Sequence, residues 1–414
     1  MAVVRPFPCI RPAADKAAQV AALPYDVYNR KEACQAVAGN PLSFLNIDRA
    51  ETQFSDDVDT YDDRVYAKAK ELLDARIEDG TFVEDGSEAY YVYALTMDGR
   101  RQAGIVACSS IDDYQNGVIK KHENTRESKE LDRIRHIDET DAHTGPIFLA
   151  YRAVPELSRI VDQAMSEPEL YDFTSSDGVR HQVWKIGSGE MIRRIEALFG
   201  QIPCTYIADG HHRAASAVKV GLKRRMENPD YTGNEPFNYF LTVLFPDDQL
   251  MILPYNRVVR DLNGLTKEEF LEKISEPFLV EKVGTQAYEP EDKGKFGMYL
   301  DGEWYCLTAK NGILSDDPVA GLDPSILQDN LLCPILGILD PKTDKRIDFI
   351  GGIRGMKELE RRVSEDMAAA FAVYPVSIGE LLHVADAGLL MPPKSTWFEP
   401  KLRSGLFIHR LKEI

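Results

Sequence analysis

The densest group of ionisable residues is Asp209-Gly210-His211-His212-Arg213, set between the apolar run Thr205–Ala208 and a stretch with Ala and Val at helical spacing. The pattern predicts a buried strand, a tight turn at Asp209-Gly210, and a helix over His211–Val220 that Gly221 stops. Such a unit aims unpaired backbone N–H groups and the positive end of a helix dipole at whatever sits above the turn. That suits an anion, and phosphate above all. Gly210 lets the backbone come close to a ligand. Two of the eight histidines stand side by side here, next to an arginine. The plainer reading is a helix N-capped by Asp209 with histidines on its surface.

Two other patches carry comparable chemistry. Lys120–His143 holds Lys120, Lys121, His122, Glu123, Arg126, Asp132, Arg133, Arg135, His136 and His143. It reads either as a solvated helix face laced with i,i+4 pairs or as a loop and helix closing over an anionic ligand. A strand over Ile111–Lys120 favours the second, because it leaves Glu123 at a strand end. In Met391–Gly405, two prolines stiffen a loop bearing Lys394, Ser395 and Thr396, with Lys401 and Arg403 behind and Trp397 and Phe398 as anchors. Cations and hydroxyls so placed suit a carboxylate or phosphate; the plainer reading is an exposed basic tail. Asp26 and Asp48 each lie at or just past an apolar run, where α/β folds expose functional side chains, and each could equally form a turn.

Familiar devices are missing from the sequence. No G-x-x-x-x-G-K-[ST], G-x-G-x-x-G or G-x-S-x-G occurs, and His122-Glu123 lacks the second histidine of H-E-x-x-H. The six cysteines are scattered without a C-x-x-C pair, which reads as reduced cytosolic thiols. Composition sets further bounds. With 414 residues, 44% hydrophobic and 28% charged, the chain has material for one large or two closely packed domains. Its formal net charge of -18 argues against nucleic acid as a partner. The opening has prolines and arginines where a signal peptide would be apolar, and no membrane-length stretch follows, so a cytoplasmic location without membrane association is expected.

The elements that must position these residues alternate along the chain. Asn29 with Glu32 starts a capped helix ending near Gly39, Leu42–Ile47 reads as a strand, and Val58–Ile77 as an amphipathic helix. Strands over Glu88–Thr96 and Gln102–Ser110 meet at Asp98-Gly99. Pro146–Tyr151 is a strand, Pro155–Met165 and Glu190–Phe199 are helices, and a strand pair flanks Asp177-Gly178. Asn238–Phe245 and Leu250–Val259 read as an apolar hairpin. Thr266 with Glu269 caps a helix over Lys267–Ile274, and Lys295–Ala309 is a hairpin through Asp301-Gly302. Ile326–Leu339, Met356–Val373 and Val376–Leu390 read as helices, and Leu406–Ile408 as a short buried strand. Patterning shifts near Asp261, which divides the chain into residues 1–262 and 263–414. The fold class is mixed, α+β.

Ala208–Arg213 closely resembles the D-G-H-H-R turn of archaeal free serine kinases, members of the ParB/sulfiredoxin-like superfamily, in which a related G-x-x-R turn opening a helix holds nucleotide phosphates. The whole chain also resembles a large prokaryotic family built on a domain of unknown function. That resemblance rests on Arg5-Pro6-Phe7, Leu23–Val27, Asn40-Pro41 with Ser43-Phe44-Leu45, Lys121-His122-Glu123 with Thr125, Asp209–Arg213 and Met391–Thr396. The kinase resemblance implies a ParB/sulfiredoxin-like core with a mixed sheet and flanking helices, extended by a C-terminal α+β region whose loop 391–405 returns to the site. It also implies transfer of a phosphoryl group from ATP or ADP, with Mg²⁺, to the hydroxyl of a free amino acid, L-serine preferred.

On that reading Gly210, His211, Arg213 and Arg126 hold the nucleotide, and Asp209 is the nearest metal ligand. Glu123, His212 and Asp209 are the catalytic candidates, with Asp26 or Asp48 standing behind Glu123 as the base. Lys394, Ser395, Thr396, Asp26 and Asp48 face the acceptor. A homodimer is compatible with all of this. Two other classes compete: a ParB-like nucleotide-hydrolysing switch or DNA-associated protein, and a sulfiredoxin-like ATP-dependent reductase, which would need a reactive cysteine at the turn.

Overall fold

The structure is a computed structural model that describes residues 1–412. The chain forms two compact units: Met1–Leu250 together with the chain from Pro400 onward, and Met251–Glu399. The division falls earlier than the sequence reading placed it. Strand Tyr255–Val259 pairs with Ile347–Gly351 and Ala369–Val373 of the second unit, so the break must precede it. For the same reason no hairpin forms across Pro246-Asp247-Asp248.

The first unit is built on a nine-stranded mixed sheet. Its strands are β1 (Val4–Arg5), β2 (Tyr90–Met97), β3 (Arg100–Ser110), β4 (Ile119–Lys120), β5 (Ile147–Tyr151), β6 (Tyr171–Thr174), β7 (Arg180–Ile186), β8 (Thr205–Asp209) and β9 (Tyr239–Pro246). They lie in the order β4-β8-β5-β9-β3-β2-β7-β6, with β1 also on β3. β4 is parallel to β8 and β5 to β9; the other pairs are antiparallel. The longest helices of the unit are α1 (Asp63–Glu78), α2 (Glu127–Thr140), α3 (Pro155–Ala164), α4 (Gly189–Phe199) and α5 (His211–Glu227).

The core of this unit follows the alternation of the strands. Val92, Ile105, Leu149, Ile207 and Phe240 pack with Leu157 and Ile160 of α3, Ile195 and Phe199 of α4, and Ala214, Ala217 and Val218 of α5. The tail runs back over the unit: Ile408 pairs with Ile10, Ser404 with Ala22, and His409–Arg410 with Ala142–His143. Leu406–Ile408 is buried as expected, but the strand itself is His409–Arg410, immediately after it.

Several local expectations are corrected here. Leu42–Ile47 is not a strand; a short helix, Leu45–Asp48, occupies its end, and Asn46 Nδ2 donates back to the Ser43 carbonyl. Ile111–Lys120 begins as a helix, Ile111–Gln115, whose cap Ser110 accepts from the Asp112 N–H at 3.1 Å, and only Ile119–Lys120 is strand. Helix α5 runs through Gly221 to Glu227. A Cβ at position 221 would lie 2.5 Å from the Phe237 carbonyl and 2.9 Å from Ile111, so this glycine serves close packing and not termination.

The second unit is an antiparallel six-stranded sheet: Phe278–Gly284, Glu303–Ala309, Lys295–Leu300, Ala369–Val373, Tyr255–Val259 and Ile347–Gly351, in that order. Asp301-Gly302 makes the expected hairpin turn with both residues at positive φ, 51° and 78°. Met356–Val373 is not one helix. Gly355–Glu365 is helical, and Ala369–Val373 is a central strand, buried throughout. Ile326–Leu339 resolves into a helix over Asp323–Leu327 and a π-helical turn over Gln328–Leu332.

Candidate active site

Parallel pairing of β4 with β8 matches Ile119 with Thr205 and Lys120 with Tyr206, so the chain leaves both strands at the same edge of the sheet. His122-Glu123 follows one exit and Asp209–Arg213 the other. Strand β5 runs the opposite way beside β8, which brings Thr144-Gly145-Pro146 to that edge as well. A bulge between Ile207 and Asp209 re-aims the last residue of β8.

Gly210 takes the left-handed conformation, φ 95° and ψ 31°, and no side chain caps helix α5 among the described residues. Asp209 is therefore not an N-cap, and the leading N–H groups of α5 are left to another partner. Arg213 folds across this end. A Cβ on Gly210 would meet its Nη2 at 3.0 Å and its Nε at 3.1 Å. Arg213 Nη1 donates to the Pro146 carbonyl at 2.7 Å, while its buried Nε has no partner. Asp209 Oδ2 lies 3.4 Å from Lys401 Nζ and 3.7 Å from Arg213 Nη2. Burial works to raise the Asp209 carboxyl, but Lys401 and Arg213 outweigh it and hold it at about 2.

The twin histidines part company. His212 is half-buried, and its Nε2 accepts the Arg126 backbone N–H at 3.0 Å, so Nδ1 carries the proton of the neutral ring. Burial lowers its basicity, and the Asp26 and Glu130 carboxylates work against that shift. His211 turns inward instead. It is buried, and its ring meets that of His122 edge to face with centroids 4.5 Å apart. Burial, with His122 adding to it, holds His211 well below an ordinary imidazole. The reading of both as surface histidines is corrected for His211. Glu123 completes this group: one donor atom each from His122, Glu123 and His211 lie within 4.8 Å of one another, a set that could hold a metal ion.

Asp26 is exposed in the turn Tyr25–Val27. Asp48 is buried at the end of its short helix, where its Oδ1 accepts from Thr144 Oγ1 at 3.0 Å and lies 4.0 Å from His136 Nε2. It is thus committed to an internal network and not poised at a strand end. Arg126 enters through its backbone, with an exposed side chain. Lys394, Ser395 and Thr396 belong to the second unit. There Lys394 Nζ sits 5.4 Å from the Tyr255 ring and Ser395 Oγ donates to the Pro392 carbonyl at 2.7 Å. Lys401 and Arg403 belong to the first unit, and Arg403 is consumed by Asp177 and Ser175. No thiol stands at the turn. Cys204 lies just before β8, with Sγ 3.3 Å from the Tyr206 hydroxyl.

Sequence reasoning missed Tyr25 and Thr144, which line a cleft with Asp48, Arg133 and Arg213. Arg133 lies over the Tyr25 ring at 3.9 Å. The Lys120–His143 charge patch held the signal, since Arg133 and His136 are among its buried members.

A mixed α/β unit with an uncapped, cation-lined helix N-terminus at one sheet edge is what the first unit presents. The chain belongs to the family described as "Protein of unknown function (DUF1015)", which matches residues 4–325. No curated protein matches it. Among solved structures it is similar to a free serine kinase in complex with AMP, at 15% identity over 75% of this chain and 91% of that one, with a TM-score of 0.37. A free serine kinase variant in complex with ADP gives 13% identity, the same 75% coverage, 92% of that chain and 0.36. C-terminally truncated SbnI from Staphylococcus aureus gives 12% identity over 73% of this chain and 87% of that one, at 0.41. Scores at this level leave the functional reading to the residues themselves. No helix among the described residues is long and apolar enough to cross a membrane.

Proposed function

We propose that this chain is a nucleotide-dependent small-molecule kinase that transfers a phosphoryl group from ATP or ADP to the hydroxyl of a free amino acid, with L-serine preferred. The observation that carries the reading is the bare N-terminus of α5 behind Gly210, with the unpartnered Arg213 Nε beside it. Phosphoryl transfer asks for positioning and charge neutralisation more than covalent chemistry, and this end of the helix supplies both.

The backbone N–H groups of His211–Arg213 and the Arg213 guanidinium would take the phosphates. His212, fixed by the Arg126 N–H, donates through Nδ1 to the transferring group. Asp26 accepts the proton of the attacking hydroxyl, because it is the exposed carboxylate acting on His212, whereas Glu123 sits with two imidazoles and Asp48 is buried. Lys401 and Arg213 share the Asp209 oxygen that a magnesium ion would need, so Asp209 serves to orient those two cations.

The test is incubation of the purified chain with ATP or ADP, Mg²⁺ and a panel of free amino acids, read by ³¹P NMR. A new phosphomonoester signal with serine supports the reading. Silence across the panel with nucleotide binding intact contradicts it.

A further inference from the structure

The sequence offers His122-Glu123 without the partner histidine of a metal-binding helix; the fold supplies one from elsewhere in the chain. Strands β4 and β8 are adjacent and parallel, and His122 and His211 each follow the carboxyl end of one of them. Both rings are buried, 2% and 5% exposed. Apart from a contact with the Ile207 backbone, the His122 nitrogens have no hydrogen-bond partner among the described residues, and His211 Nε2 has none. Leaving at least two buried ring nitrogens unsatisfied is costly, and native structures rarely do so without a ligand in view. The rings meet edge to face, and the Glu123 carboxylate lies within the same 4.8 Å.

We infer that His122, Glu123 and His211 form a site for a divalent first-row transition metal ion, Zn²⁺ foremost. Two imidazoles and one carboxylate are a borderline-soft donor set that suits zinc better than magnesium or calcium, which take oxygen ligands. Three protein ligands leave a fourth position open, as in sites that bind water or a substrate oxygen. Ile119 and Thr205 pair in the strands behind, so two of the ligands follow the ends of adjacent, hydrogen-bonded strands of one sheet. This proposal is independent of the kinase reading: it concerns the ion and holds whether or not serine is phosphorylated.

The test uses the full chain, stripped with chelator and titrated with Zn²⁺ by calorimetry, with bound metal counted by mass spectrometry. One equivalent per chain is expected. His122→Ala and His211→Ala should abolish that equivalent, and Glu123→Gln should weaken binding roughly tenfold or more. A His383→Ala control, altering a histidine of the second unit, should keep it. Because the buried-histidine variants can fail to fold, Co²⁺ bound to the unmodified chain provides a second reading. Visible absorption of a low-coordinate N/O site without thiolate charge transfer supports the assignment. No bound metal, a thiolate band from one of the six cysteines, or undiminished binding in folded His211→Ala each overturns it.

Discussion

The backbone N–H of Arg126 donates to Nε2 of His212 at 3.0 Å, joining residues 86 positions apart. That one bond sets the tautomer of the histidine and leaves the proton of the neutral ring on Nδ1. The Lys120–His143 patch therefore acts on the turn through its main chain as much as through its charges.

Replacing this imidazole tests its role directly. His212→Ala should lower kcat/KM for phosphoryl transfer by roughly 100-fold or more, the usual yield of a positioned proton donor. Circular dichroism should be unchanged, since the ring is only half-buried. Steady-state rates near those of the unmodified chain would return His212 to a structural part.

Gly210 is required twice over. Its φ of 95° strains any residue with a Cβ by about 1–2 kcal/mol, and the added carbon would press on the Arg213 guanidinium. Gly210→Ala should lower the denaturant midpoint and weaken nucleotide binding together. A loss of stability with unaltered binding would separate the turn from the ligand.

Acid should destabilise the first unit. Burial holds His181 at about 3 and His409 at about 4, and His143 well below an ordinary imidazole. In the unfolded chain each would titrate near 6.5. Between those values the unfolded state binds more protons, so stability is present above about 6.5 and lost as pH falls toward the folded values. Urea midpoints measured from about pH 7 down to about pH 5 should fall steadily. A flat profile would contradict the burial of these rings as neutral species.

Asp323 in the second unit works in the opposite direction. Burial raises its carboxyl to about 7, although the Gly294 N–H contacts both oxygens at 3.0 Å. The folded state then binds the extra proton, so this residue costs stability as pH rises from about 4 to about 7. Asp323→Asn keeps an acceptor for Gly294 and should stabilise the chain at neutral pH by on the order of 3 kcal/mol. The gain should vanish at low pH; a gain independent of pH would contradict the assignment.

What the sequence disclosed was local. The capping boxes at Asn29/Glu32 and Thr266/Glu269, the Asp-Gly hairpins and the turn at Asp209–Arg213 are short-range devices, and each is found where its residues stand. Long-range packing was hidden. Gly221 reads as a stop until Phe237 is seen pressed against it, and the alanines of Ala369–Val373 read as helix until the strand is seen buried in a sheet. The meeting of His122 with His211 depends on parallel strand pairing, which leaves no periodic mark in the chain. Asp48 and Asp26 look alike in sequence, and only burial tells them apart.

The central claim is that the uncapped end of α5 grips phosphate. Calorimetric titration of ADP into the unmodified chain and into Arg213→Gln tests it most directly, because a charge-assisted pair to phosphate is worth about 1.5–3 kcal/mol. The account predicts saturable binding that weakens roughly tenfold or more in the variant while the fold is retained. Equal affinity in the two proteins, or no binding to either, would contradict it.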